Sequence, residues 1–318
     1  MYEEFFGLKE KPFEITPDPK YLFLTPTNRE IISALLYGVN ERRGLITLVG
    51  EVGTGKTLFL NSLLCRLVKT NKTAFISNAD LTFYQILIMV LSQLGIAQVE
   101  ETISKAAAIQ RLNDFAIQQS EKGGNVVIIV DEAQNIGLRT MENLRMLLNM
   151  ETPKQKLVQI VLSGQTELDE KLRLPEWRQI DQRIVLKRYA ITLNEENTYQ
   201  YIKYRLNIAG YERSQLFTEK AQQLIWMFSE GNPRLINVLC DNSLIIGYGL
   251  EQNEIDSKIV TEAIKDLSSS PYTQNAGTQS TYSREVHEAI QIDEKKENYD
   301  KSPPRRNKIL VGGVVIFI

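Results

Sequence analysis

LITLVGEVGTGKTLFLNSLLCRL, residues 45–67, joins a short apolar run to a glycine-rich turn and then to a helical pattern. Its centre, Gly50-Glu51-Val52-Gly53-Thr54-Gly55-Lys56-Thr57, matches G-x-x-x-x-G-K-[ST] in full, in the strand-then-helix context that motif requires. Each residue type has a chemical reason to be there. Glycines let backbone N–H groups close around phosphate oxygens, where a Cβ would stand in the way. A helix that starts near Lys56 aims the positive end of its dipole at the same oxygens. Lys56 can reach the β- and γ-phosphates, and the Thr57 hydroxyl can help hold Mg²⁺. The expectation is a cradle built from all eight residues, with ATP and Mg²⁺ as its cofactors.

A second signal is VVIIVDE, residues 126–132, an apolar run that ends in two acids. The C-terminal edge of a parallel strand is where ligands bind in open α/β sheets. Asp131 is therefore expected to hold Mg²⁺, and Glu132 to orient and polarise an attacking water. Two acids in this position can also simply cap the next helix, but a complete phosphate loop upstream favours the catalytic reading. Phosphoryl transfer further needs positive charge near the γ-phosphate. Arg183, in IDQRIVL just before the last strand-like run, is placed to reach the nucleotide of a neighbouring subunit. Arg178, in EWRQ, is a weaker competitor for that role. Arg234, in Gly231-Asn232-Pro233-Arg234, opens a later helix at a proline-defined first position and can fold back on the nucleotide. The fourth run ends in Ser163-Gly164-Gln165, where Gln165 is the first choice to sense the γ-phosphate and Ser163 the second. Each of these polar residues also has a plain reading as a cap or a surface ion-pair partner.

The runs 45–49, 73–77, 126–130, 158–162 and 184–188 alternate with stretches of helical spacing. VVIIV has no in/out alternation, as expected of a strand buried on both faces of a parallel sheet. The predicted fold class is therefore α/β, a three-layer parallel-sheet domain over 45–193. An entry segment, 1–44, precedes it, with four prolines and a helix predicted over 28–40. From 194 to 267 the β signal fades, and helices are predicted over 195–209, 218–229, 233–247 and 256–266, forming a small lid. Residues 268–307 are polar and poor in large aliphatics, as in a disordered linker. The final ILVGGVVIFI, 309–318, is uncharged and follows Arg305, Arg306 and Lys308. It is shorter than the roughly 20 residues a spanning helix needs. It reads either as the first part of a transmembrane segment, 308–318, or as an apolar tail. The basic flank favours the former, with residues 1–307 cytoplasmic.

The formal net charge of −2 over 318 residues implies no global cationic field, which argues against nucleic acid as a partner. Cys65 and Cys240 both lie in apolar runs and read as buried small hydrophobes in a reducing compartment. A single histidine, His287, leaves no histidine-based triad or Cys/His metal cluster to be built. MYEEFFGLKEKPF carries early acids and no apolar core, so it is not expected to be a signal peptide.

With these residues in view, the chain resembles AAA+ ATPases, and among them the general secretion pathway protein A (ExeA-like) group. The resemblance covers nearly all of 1–267. It is carried by FFGLKEKPFEITPDPKYLFLTPTNREIISALLYGV near the start, DEAQN (131–135), LRMLLNMET (144–152), SGQTEL (163–168), QRI (182–184) and GNPRLINVLCDNSLI from 231. It implies a P-loop NTPase sheet of five strands, with the acid-bearing strand one strand away from the phosphate loop. It implies Arg183 as the trans-acting arginine, Arg234 as the second sensor, and homo-oligomeric rings with ATP between subunits. It also implies an inner-membrane, single-pass protein with envelope secretion partners, and contact with peptidoglycan through a further C-terminal part. Members help insert an outer-membrane secretin through the cell wall, and the expectation for this chain is an envelope-assembly ATPase of secretion, pilus or polysaccharide export. The competing expectation is a DNA-binding transposition helper of the TniB-like kind, which shares the nucleotide motifs.

Overall fold

The computed structural model describes residues 1–67, 71–98 and 103–269. α1 (Tyr2–Phe6) and α2 (Pro26–Asn40) lead into β1 (Leu45–Gly50), α3 (Lys56–Arg66) and β2 (Lys72–Ile76). Next come α4 (Phe83–Gln93), α5 (Lys105–Glu121), β3 (Val126–Val130), α6 (Leu138–Leu147) and β4 (Val158–Gly164). α7 (Thr166–Arg173), the short α8 (Arg178–Asp181) and β5 (Ile184–Ala190) complete the α/β part. α9 (Glu195–Ile208), α10 (Glu219–Ser229), α11 (Pro233–Gly249) and α12 (Ser257–Ser269) follow.

The five strands form one sheet in the order β2-β3-β4-β1-β5, with every pairing parallel. β4 therefore separates the phosphate-loop strand from the acid-bearing strand, the arrangement the resemblance implied. β1, β3 and β4 are buried along their whole length, while the edge strands β2 and β5 are only partly covered. This difference explains the continuous apolar text of the inner strands and the KTAFI and IVLKRYA text of the outer ones. Helices cover both faces. Ile86, Leu87, Leu112 and Leu144 from α4, α5 and α6 pack on one, and Leu35, Val39, Leu60 and Leu63 from α2 and α3 on the other.

α9 to α12 gather around a separate apolar cluster that includes Ile202, Ile225, Leu239, Leu244 and Val260. Their caps follow the sequence: the Thr218 hydroxyl accepts from Ala221 N at 3.2 Å, and Asp256 Oδ1 from Lys258 N and Ile259 N at 3.0 Å. The entry segment is shared between the cores. Tyr2, Phe6 and Phe13 belong to the helical cluster, and Leu22, Ile31 and Ile32 to the α2–α3 face of the sheet. Arg205 of α9 holds the stretch between them. Its guanidinium donates to the carbonyls of Pro12 and Glu14 and to the Tyr201 hydroxyl, and stands 4.3 Å from the Tyr21 ring centre.

Several details differ from the sequence reading. α1 has no periodic signal of its own; five residues make it a helix because Tyr2 and Phe6 are buried against the later helices. α2 starts at Pro26 rather than 28, since Thr25 caps it by accepting from Asn28 N. Cys65 is exposed, because it falls on the outward side of α3, while Cys240 is buried and burial pushes its thiol pKa up. α12 runs through to Ser269. The rest of the expected linker and the apolar terminus, 270–318, lie outside the described residues. Among the described residues no helix is long and apolar enough to cross a membrane.

Candidate functional site

The turn between β1 and α3 is shaped by two glycines in left-handed backbone conformations, Gly53 at φ 85° and Gly55 at φ 91°. Its carbonyl oxygens are taken up by donors from the protein. Lys56 Nζ donates to Gly50 O at 2.7 Å and Glu51 O at 2.9 Å, and the Thr54 hydroxyl donates to Glu51 O at 2.8 Å. From the helical part, Asn232 Nδ2 donates to Val52 O at 2.8 Å and Arg234 N to Gly53 O at 3.3 Å. With four successive carbonyls partnered in this way, what the loop offers a ligand is its N–H groups, the side that suits an anion. Lys56 is buried at 6% exposure. Burial pushes its ammonium pKa below the ordinary lysine value, while the carboxylates of Glu132, Asp131, Glu51 and Glu167 pull it the other way.

The end of β3 meets the start of α3 here. The Thr57 hydroxyl donates to Asp131 Oδ2 at 2.8 Å across 74 residues of chain. Asp131 Oδ1 accepts from Glu132 N at 3.0 Å, and Asp131 N continues the ladder to Ile76 O at 2.9 Å. Glu132 takes a left-handed conformation, φ 52°, which turns the chain off the strand into a short 3-10 turn, Ala133–Asn135. Its Oε2 accepts from Gln134 Nε2 at 2.6 Å and from Gln165 Nε2 at 3.1 Å. The ends of β1, β3 and β4 thus bring Lys56, Thr57, Asp131, Glu132 and Gln165 into one group. Ser163, one turn of the pleat earlier on β4, is fully buried, and its hydroxyl has no hydrogen-bond partner among the described residues. A hydroxyl and a carboxylate in contact are hard oxygen donors of the kind Mg²⁺ takes, and the buried Lys56 stands beside them.

Comparison with known proteins bears on the family and the fold. A family model described as an AAA domain matches residues 39–172. General secretion pathway protein A of Aeromonas hydrophila is 37% identical over 255 residues, 80% of this chain. The chain belongs to the AAA+ ATPases, in the group of general secretion pathway protein A. It spans less than half of that relative, 46% of its length. Solved structures share the fold. The ORC2 protein of Aeropyrum pernix superposes with TM-score 0.62 at 15% identity, covering 81% of this chain and 72% of its own. Cdc6p of Pyrobaculum aerophilum gives 0.62 at 18%, covering 80% and 70%. The RuvB branch-migration motor of Thermotoga maritima gives 0.51 at 15%, covering 75% and 68%.

In this AAA+ chain the two arginines sit in different places. Arg234 lies in the first turn of α11 directly over the phosphate loop: a Cβ built on Gly53 would come 2.9 Å from Arg234 Cβ and 2.4 Å from Asn232 Oδ1. Arg183 is exposed and precedes β5, whose first residue, Ile184, pairs with Leu45, while its last, Ala190, pairs with Gly50. Six residues of strand put it roughly 20 Å from its own phosphate loop. Arg178, also exposed, opens α8 near the same edge. Two contact residues were absent from the sequence-based site. Asn232 caps α11 and donates to the loop, and the residue before a helix-opening proline was a legible cap signal. Gln134 stood in the quoted DEAQN without a role, because its reach to Glu132 depends on the turn after β3.

Gly53→Ala should weaken ATP binding by at least about tenfold, since the new Cβ meets Asn232 and Arg234 and the φ is left-handed. Equilibrium titration with a fluorescent ATP analogue measures this, and an affinity equal to wild type would mean the loop is not held by α11 as described.

Proposed function

We propose that this chain binds and hydrolyses ATP as the motor or switch part of a cell-envelope assembly machine, serving secretin-based secretion or pilus or polysaccharide export. The carrying observation is the 2.8 Å contact of Thr57 with Asp131 beside the buried Lys56. In this reading Gly50 to Thr57 wrap the phosphates, with Lys56 on the β- and γ-oxygens and the N-terminus of α3 behind them. Thr57 and Asp131 hold Mg²⁺, which when bound would neutralise charge on the phosphate oxygens. Glu132 accepts a proton from, and orients, the attacking water. Gln165, already bonded to Glu132, relates that carboxylate to the end of β4, and Ser163 offers an unpartnered hydroxyl from the same strand. Arg234 adds positive charge from α11.

Arg183 serves a neighbouring copy. Its exposure at the far edge of the sheet supports this, because a guanidinium there cannot reach the nucleotide of its own loop. The working unit is then a homo-oligomer, with a ring as the natural closed arrangement of such head-to-tail contacts. Residues 45–193 act as the nucleotide domain and 194–267 as a lid whose first contact with the loop is through Asn232 and Arg234.

The envelope role is supported by the 37% identity to a general secretion pathway protein over 80% of the chain. It is also supported by the basic-then-apolar text at 305–318. In this reading the C-terminal segment enters the bacterial inner membrane, residues 1–307 stay in the cytoplasm, and the partners are envelope components. The transposition-helper alternative gains nothing from the origin-protein and RuvB structures, which at 15–18% identity share a fold and no more.

Phosphate release tests the chemistry. Lys56→Ala should abolish ATP binding, and Glu132→Gln should bind ATP while losing about 100-fold or more in turnover; a Glu132→Gln rate equal to wild type would remove Glu132 from the reaction. Arg183→Ala should keep ATP affinity but slow turnover by about 1000-fold or more, and wild-type turnover per subunit should rise with protein concentration. A rate that is the same in dilute monomer as in the assembled form would sink the trans assignment. Truncation after residue 307 should move the protein from the membrane pellet to the soluble fraction, and pelleting that survives the truncation would place the anchor elsewhere.

A further inference from the structure

Glu132 is gripped by two amide side chains, and the two grips differ. Gln165 reaches it from β4 with a single donor at 3.1 Å. Gln134 uses both ends of its amide. Nε2 donates to Glu132 Oε2 at 2.6 Å, and Oε1 accepts from Gln165 N at 3.1 Å. One planar group therefore ties the carboxylate after β3 to the backbone after β4. Gln134 is itself held: it is 9% exposed, and its backbone oxygen accepts from Lys171 Nζ of α7 at 2.5 Å. Room for the amide comes from Gly164, where a Cβ would lie 3.0 Å from Gln134 Oε1 and 2.8 Å from Leu168 Cδ2.

The need for such a tie follows from the backbone. Glu132 sits at φ 52°, a conformation that non-glycine residues adopt at a cost and keep only where their surroundings hold them. A carboxylate on so short a turn has several staggered rotamers, and the two amide contacts hold it in one of them. Glutamine is suited to choosing among them. It donates to the acid and accepts from an N–H at the same time, which neither a hydrocarbon nor a second carboxylate of that length can do.

We infer that Gln134 is a positioning residue, whose amide locks the Glu132 carboxylate to the end of β4 and leaves Oε1 as the oxygen turned to water. This rests on the hydrolytic reading above, and it deepens that reading by giving the water-orienting group its own support. The role is distinct from nucleotide binding, since the hydrogen bonds of Gln134 run to Glu132, Gln165 and Lys171, outside residues 50–57.

Steady-state ATP hydrolysis by the full chain tests this, with wild type, Gln134→Met, Glu132→Gln and the double variant compared over a range of ATP concentrations. Gln134→Met keeps the length and loses both polar ends. Its kcat should fall about tenfold or more, the cost of a misplaced catalytic group, while KM stays unchanged. In the Glu132→Gln background the same substitution should cost nothing further, because the group it acts through is already gone. A purely structural residue would lower both backgrounds by the same factor, and that result overturns the inference. So does a Gln134→Met kcat equal to or above wild type. Thermal melting reports whether the variant folds. Should it not, Gln134→Glu, nearly isosteric and still able to accept from Gln165 N, carries the same expectation, and wild-type turnover in it is equally fatal. A wild type that releases no phosphate removes the hydrolytic reading and this one with it, whereas an active wild type with an indifferent Gln134 removes this one alone.

Discussion

The hydrogen bond from Thr57 to Asp131 ties two parts of the chain that have no local reason to meet. It exists because β1 and β3 run in the same direction with β4 between them, so that both end on the same edge of the sheet. Parallel pairing is what matters: an antiparallel β3 would carry its acids to the opposite edge. Inserting β4 sets the spacing, close enough for a helix N-terminus and a strand end to touch, and it delivers Gln165 to the same place. The glycines, the lysine and the two acids acquire a shared chemistry only through this constraint.

A second dependence runs through the helical part. Two carbonyls of the phosphate loop find their protein donors outside the loop's own residues. Asn232 and Arg234 supply the donors for Val52 and Gly53. Gly231 lets the chain approach this closely: a Cβ there would fall 1.7 Å from Leu193 O, in the segment that leaves β5. The start of α11 is thereby bound to the loop on one side and to the β5–α9 connection on the other.

The β5 edge of the sheet, next to β1, carries a different design. β5 is an edge strand, and its exposed Val185 and Tyr189 flank Lys187. Asp169 of α7 receives Lys187 at 2.7 Å and Arg173 at 2.6 Å. Burial works to raise the Asp169 carboxyl, but those two cations hold it below the ordinary aspartate range. This charged lock fastens α7 to β5 and places the α8 turn, with Arg183 after it, on the surface of the molecule. A charged residue in the middle of an open strand also discourages unwanted pairing along that edge.

By itself the sequence determined the elements that depend on local chemistry. The glycine spelling of residues 50–57, the uninterrupted apolar run of β3 and the capping residues Thr218 and Asp256 were each legible, because backbone conformation, two-sided burial and helix ends impose short-range demands on residue type. It also marked Asp131, Glu132 and Arg234 by their position at element ends. Tertiary structure alone decided which of these ends face one another. Strand order follows from packing between segments far apart in the chain, so the residues text could not show that Gln134 bridges Glu132 to β4, that Asn232 closes the loop, or that α1 folds against helices some two hundred residues later. The exposure of Cys65 was hidden for the same reason: whether a residue in an apolar run faces core or solvent depends on which side of its helix the sheet covers.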